Sequence, residues 1–248
     1  SPMNAIEENQ FVRGFREISK KIPTPNAILC ISAHWFTKGT FVTSGEIQKT
    51  IHDFYGFPPE LFAVEYPAKG NPELAKETAE LLAPTSVIET ESWGLDHGAW
   101  SVIRHLYPEA QIPVIQMSID YTQPAQYHFD LAKKLQKLRE KGILIIGSGN
   151  VVHNLRLIDW KNINTVGAGW DWAIEARAKT NEWILDGNFQ NLIHFEKQGT
   201  ALQNAIPTPD HYLPLIYTLG LKEKSEEISL FNDELIGGSL SMTSVKVG

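Results

Sequence analysis

Two rhythms of apolar residues alternate along this chain. Short continuous apolar runs alternate with stretches in which apolar positions recur every three or four residues. The run at 27–35, AILCISAHW, is the most informative. Its length, and its position between Pro25-Asn26 and Thr37-Lys38-Gly39, predict a strand over 27–33 that is buried on both faces. The runs at 87–90, 113–119 and 143–146 read as further strands, 41–43 as a short one, and the alternating 239–247 as a last one. Between them, Phe11, Val12, Phe15 and Ile18 mark one face of a helix within 4–20. Asn71-Pro72-Glu73 supplies a cap, a proline at the first position and an acid in the first turn, which predicts a helix over 71–82. Further helices are predicted from Trp100 to near Tyr107-Pro108, over 126–140 with Leu131, Leu135 and Leu138 inward, and at 170–185 and 188–197. A polar loop follows. Thr208 and Pro209 then open a last helix, with His211 in its first turn and a kink at Pro214.

Strand–helix alternation with no repeat and no linker predicts one α/β domain over 1–248, with a central, largely parallel or mixed sheet flanked by helices. A length of 248 residues is enough to bury a sizeable core. The net charge of −7 argues against a nucleic-acid binder and against docking on anionic lipid. No apolar run approaches the roughly 20 residues of a membrane span. The single cysteine, Cys30, lies inside the first apolar run, where it reads as a small core residue. It excludes intramolecular disulfides and suits a reducing compartment, so a cytoplasmic location is expected.

Candidate chemistry rests on the eight histidines. His105, His128 and His194 lie within predicted helices and read as packing or surface residues. His34, His97 and His153 each follow a predicted strand in a Gly-, Asn- or Asp-bearing junction, and His211 lies near a helix start. Parallel strands deliver their carboxyl ends to one edge of the sheet, so imidazoles there point to metal or proton chemistry. His52 belongs to the aromatic loop 51–58, which either walls a ligand pocket or is pinned to the core by its rings. Asp53 and Asp96 each sit beside a histidine, as supporting acids or as loop caps. There is no HExxH, CxxC, P-loop or GxSxG, and Val152 breaks a GxGxxG reading of Gly147-Ser148-Gly149. With so little thiolate, a metal must be held by imidazole and carboxylate, which suits Fe(II) or Zn(II).

SPMN at 1–4, SAHW at 32–35, IHDFYGFP at 51–58, WGLDHGAW at 93–100, GSGNVVHNL at 147–155, PTPDHYLPL at 207–215 and GGSLSM at 237–242 occur in order along the whole chain. Together they resemble the LigB-type class III extradiol ring-cleavage dioxygenases, most closely the bacterial 4,5-DOPA dioxygenase extradiol group. The resemblance implies one α/β domain and a non-haem Fe(II) that opens a catechol such as DOPA with O2 to a muconic semialdehyde, with Zn(II) as the ion held in purified samples. It implies His34 and His211 as metal ligands and His153 beside the metal, as a further ligand or as the acid–base residue. His97 would line the substrate site as the second candidate for acid–base work. His52, in the loop 51–58, and Tyr212 are expected to contact the ring. In the family a Gly-His-Gly segment carrying one more ligand precedes the counterpart of SPMN, so a chain cut just before Ser1 is expected. A zinc hydrolase using the same histidines, or a catalytically silent metal-binding relative, is the alternative. The sequence carries no signal for an oligomeric state.

Overall fold

A computed structural model describes residues 2–248. They fall into two compact units: residues up to Thr122 with Lys134–Ser148, and Gln123–Lys133 with Gly149–Gly248.

The first unit is built on a five-stranded sheet of β1 (Ala27–Thr37), β2 (Thr40–Thr43), β3 (Val87–Thr90), β4 (Val114–Asp120) and β5 (Ile143–Ser148), in the order β3-β2-β4-β1-β5. β1 runs parallel to both β4 and β5, and β2 runs parallel to β3; β2 meets β4 antiparallel at Val42↔Met117, so the sheet is mixed. The inner strands are the apolar runs: every residue of β4 and the first seven of β1 are buried. β1 is longer than its apolar run. Past an irregularity between Ile31 and Phe36 it pairs with β4 again, at Phe36↔Ile119 and Thr37↔Asp120. His34 lies in that irregular stretch.

Four helices accompany the sheet: α1 (Gln10–Ser19), α2 (Pro59–Phe62), α3 (Pro72–Leu81) and α4 (His97–Leu106). The starts of α1, α3 and α4 follow from side-chain capping. Asn9 accepts from the Phe11 and Val12 amides, which moves the start of α1 from the expected 4 to 10; a 3-10 turn occupies Pro2–Ala5 instead. Asn71 accepts from the Leu74 amide, and Asp96 from that of Ala99. Ile28, Cys30, Tyr66, Trp100, Ile103 and Val114 share one core cluster. Trp100 is fully buried and donates Nε1–H to the Ile51 carbonyl at 2.9 Å, so its one polar atom is satisfied. α5 (Ala125–Arg139) follows, with Leu131, Leu135 and Leu138 buried as expected.

The second unit contains α6 (Asp171–Leu185), α7 (Phe189–Ile193), α8 (Thr200–Ala205), α9 (Leu213–Gly220), and two small antiparallel pairs. These are β6 (Ile228–Phe231) with β9 (Ser244–Val247), and β7 (Leu235–Ile236) with β8 (Leu240–Ser241). Three expectations are corrected here. The polar loop after 197 contains α8, which at six residues is too short to show a period. The final strand over 239–247 is two strands, β8 and β9, separated by Met242-Thr243. The last helix starts at Leu213, after His211. Pro214, which has no N–H to donate, sits in the first turn of α9 and does not kink an interior.

Candidate active site

In the first unit, two histidines and a carboxylate meet. His34 comes from β1, His97 from the first position of α4, and Asp53 from the irregular loop 51–58. One ligand atom from each lies within 4.8 Å of the others. Asp53 Oδ1 accepts the His97 backbone N–H at 2.8 Å and lies 3.0 Å from His97 Nδ1. Its Oδ2 is 3.7 Å from His34 Nδ1, and the two imidazole centroids are 3.9 Å apart. Burial acts to raise the Asp53 pKa, but the close imidazole and charge of His97, with the bond from its backbone amide, outweigh it and hold the carboxyl below its ordinary value. Despite its short contact with Asp53, the buried Nδ1 of His97 makes no hydrogen bond. An orphaned imidazole nitrogen beside a second imidazole and a carboxylate is a donor set that fits a borderline divalent metal.

The loop that brings Asp53 is fixed by its backbone and its rings. Ile51 N–H donates to the Leu95 carbonyl at 2.8 Å, Ile51 accepts from Trp100, and Phe54 is buried with its ring edge-on to His97 at 5.5 Å. Of the two sequence readings of this loop, pinning to the core is what its rings do, while Tyr55 is 93% exposed. His52 Nε2 pairs with the Val64 carbonyl at 2.9 Å, and its ring lies among Phe54, Phe62 and Trp100.

In the second unit, His153 and His211 stack, with centroids 3.6 Å apart and planes 6° from parallel. Three of the sequence motifs meet to make this pair. The His153 amide donates to the Ala205 carbonyl at 2.9 Å and that of Asn154 to Ser239 at 3.1 Å, while Asn150 donates from its backbone to the His211 carbonyl at 2.8 Å and from its side chain to that of Ser241 at 2.7 Å. Gly149 permits the approach, since a Cβ there would stand 2.2 Å from the His211 carbonyl oxygen. His211 Nδ1 contacts the Asp210 carboxylate closely. Burial works to raise Asp210, but bonds from His211 and Thr208 prevail and hold it well below the usual carboxylate range. Burial and the neighbouring charge of His211 push His153 down to about 3, so near neutrality its ring is an uncharged proton acceptor.

Tyr212 is 1% exposed and donates its hydroxyl to the Leu192 carbonyl at 3.0 Å, with Phe195 against its ring. Its one donor is therefore committed within the core, behind His211. The remaining histidines are spent on structure or exposure. His105 pairs with the Asn4 carbonyl at 2.7 Å, His128 with the Tyr217 hydroxyl at 2.9 Å, and His194 is exposed. The sequence left Asp53 and Asp96 undecided between cap and supporting acid. Their position directly before or after a histidine was the only available signal; in the structure both accept a backbone amide, Asp53 that of His97 and Asp96 that of Ala99.

Comparison with known proteins matches this arrangement to a family. A family model described as the catalytic LigB subunit of aromatic ring-opening dioxygenase matches residues 2–240. The 4,5-DOPA dioxygenase extradiol of Escherichia coli K12 is 44% identical over 251 residues, covering 100% of this chain and 92% of that protein. That of Beta vulgaris is 35% identical, covering 99% and 92%. A crystal structure of an uncharacterized protein from Escherichia coli K12 superposes with a TM-score of 0.83 at 38% identity, covering 98% of this chain and 94% of that one. With the SAHW histidine on β1 and the DHG and GNVVHNL histidines past the ends of β3 and β5, the chain belongs to the LigB family and is an aromatic ring-opening dioxygenase of the extradiol type.

Proposed function

We propose that this enzyme opens the ring of DOPA or a closely similar catechol, using one catalytic domain over 1–248 and a bound Fe(II), in the cytoplasm. The observation that carries the reading is the approach of His34, Asp53 and His97 within 4.8 Å in a chain of this family. The names of the relatives in Escherichia coli and Beta vulgaris supply the substrate. Fe(II) is the working ion and Zn(II) the ion a purified sample retains, because imidazole and carboxylate accept both. When bound, the metal would supply Lewis acidity and a route for electron density from the catechol to O2.

The residues divide the remaining work. His34 gives one imidazole to the metal. The family resemblance also names His211, held by Asp210, and His153 as metal residues. Asp53 contacts the Nδ1 side of both first-unit rings, which orients them as a carboxylate behind a metal-binding histidine does. His153, uncharged near neutrality, takes a phenolic proton from the catechol and returns it as the ring opens; His97 is the second candidate for that step. His52 is the loop residue that the resemblance assigns to the substrate ring, whereas the buried Tyr212 keeps its hydroxyl on the Leu192 carbonyl. Both atoms of O2 enter the product, and the bond cleaved lies beside the two hydroxyl-bearing carbons, not between them. The catechol and O2 together account for every atom of the muconic semialdehyde. The acidic surface favours neither nucleic acid nor anionic lipid as a partner, and no helix among the described residues is long and apolar enough to cross a membrane.

The test is anaerobic loading with Fe(II), then DOPA, caffeate or protocatechuate in air, with O2 uptake and visible absorbance followed together. One O2 consumed per catechol with a yellow product, and none with Zn(II), is the expected result. A filled iron site with no uptake on any catechol sinks the reading and favours a zinc hydrolase. Metal content of the His34→Ala and Asp53→Asn variants separates ligand from support: equal loss in both makes Asp53 a ligand.

A further inference from the structure

We infer that Asp96 is a positioning residue for His34 and His97, acting through a closed, buried brace with Ser32 and Gln116. Ser32 is on β1, Gln116 on β4, and Asp96 caps α4; all three are 0% exposed. Asp96 Oδ1 accepts from the Ser32 hydroxyl at 2.7 Å and from the Ala99 amide at 3.1 Å. Oδ2 accepts from Gln116 Nε2, and Gln116 Oε1 accepts the Asp96 backbone N–H at 3.2 Å, which closes the loop. Gln116 is anchored in turn, its backbone N–H donating to Thr43 Oγ1 at 2.9 Å.

The brace reaches both imidazoles. His97 directly follows Asp96 and leads α4, so the cap sets where that ring begins. The Ser32 hydroxyl accepts the His34 backbone N–H at 3.3 Å within the irregular stretch of β1, where regular strand pairing does not hold the chain. Gly98 closes the contact: a Cβ there would stand 2.5 Å from Ser32 Oγ and 2.8 Å from His34 Cδ2. The helix start therefore lies directly against Ser32 and the strand histidine at Gly98. A cap alone does not account for this. An N-cap asparagine, serine or threonine bonds an amide as well as aspartate does, and a buried carboxylate carries a desolvation cost that shows in its raised pKa. What only a carboxylate does here is accept on Oδ2 from Gln116 while Oδ1 serves the cap and Ser32.

That donor–acceptor pattern can be inverted. Asp96→Asn sets an amide N–H₂ against the Gln116 N–H₂. Gln116→Glu sets two carboxylates face to face. Together, Asp96→Asn with Gln116→Glu restore every bond, with the charge moved by one side chain. The inference rests on the assignment of His34 and His97 to the site. The readouts are the imidazole ¹⁵N resonances of both rings in the metal-free protein, Zn(II) affinity, and kcat and KM of the Fe(II)-loaded enzyme. Each single variant is expected to shift both rings' resonances and to lower Zn(II) affinity or kcat about 10- to 100-fold, the range for partners behind a metal ligand. The double variant is expected to regain the parent resonances and most of the loss. Ser32→Ala, which keeps the Gln116 arm, is expected to shift His34 more than His97, and it decides the matter if Asp96→Asn does not fold. Lowered melting temperature with unchanged resonances, affinity and kcat overturns the inference, as does a double variant no better than the singles. A parent enzyme inactive on every catechol overturns the dioxygenase reading and leaves the resonance comparison standing.

Discussion

Asp53 reaches two rings with one carboxylate. Its Oδ1 serves the His97 amide and its Oδ2 faces His34 Nδ1. Asp53→Asn keeps an acceptor for the amide but turns an N–H₂ towards an imidazole nitrogen. Its kcat/KM is expected to fall about 10- to 100-fold with a nearly unchanged melting temperature, read by steady-state kinetics beside thermal melts. Gly149 sets the other pair: Gly149→Ala drives a Cβ into the His211 carbonyl, and a loss of about 1–3 kcal/mol, measured by denaturant unfolding, is expected. At this scale the sequence was partly legible. His34, His97 and His153 stood out because each follows an apolar run, and His211 because Thr208 and Pro209 read as a helix start. The partner of each did not, because the path of an irregular loop such as 51–58 leaves no period to read. Tyr212 shows the limit from the other side: the family resemblance suggested contact with the substrate ring, yet its hydroxyl is committed to the Leu192 carbonyl.

Among elements, the clearest case is the tie between α6 and the turn before β7. Arg177 donates Nε–H to Asp233 Oδ1 at 2.8 Å and Nη2–H to Oδ2 at 2.7 Å; Asn181 and Thr243 add bonds of 2.8 and 2.7 Å to the same carboxylate. Burial works to raise the Asp233 pKa, but these donors outweigh it and hold it below its ordinary value. Between that lowered value and about pH 4, where a free aspartate titrates, the unfolded chain binds a proton that the folded one does not. The contribution is therefore full above about pH 4 and lost as pH falls through the folded value. Asp233→Asn is expected to cost about 1.5–3 kcal/mol at pH 7, with the gap to the parent narrowing across an acid melting series. No sequence pattern announces this tie, since Arg177 and Asp233 lie far apart in the chain. The long periodic helices and the buried strands were legible because each repeats its signal over several turns or pairings. α8 and the pairs β6–β9 and β7–β8 were not, being too short to repeat anything.

For the molecule as a whole, the mixed central sheet and flanking helices follow from the order of apolar runs and periodic stretches. The antiparallel meeting of β2 with β4 at a single pair of residues does not, because pairing direction is settled by packing and not by the strand's own pattern. A metal that binds only the folded chain raises its stability by mass action. Zn(II) at about 100 times its Kd adds about 2.7 kcal/mol, an expected rise of about 5–10 °C in Tm. Chelator should reverse the rise and His34→Ala should abolish most of it, both followed by calorimetry.

Cys30 lies on β1, an inner strand of that sheet, 0% exposed, and burial pushes its thiol up so that no thiolate forms at working pH. It is also the chain's one sulfhydryl. A disulfide reagent such as Ellman's therefore finds nothing to attack until β1 parts from its neighbours. Each reacted molecule records one such opening, and the slow colour change in native buffer becomes a clock for the sheet's own breathing, with no probe added and no residue changed.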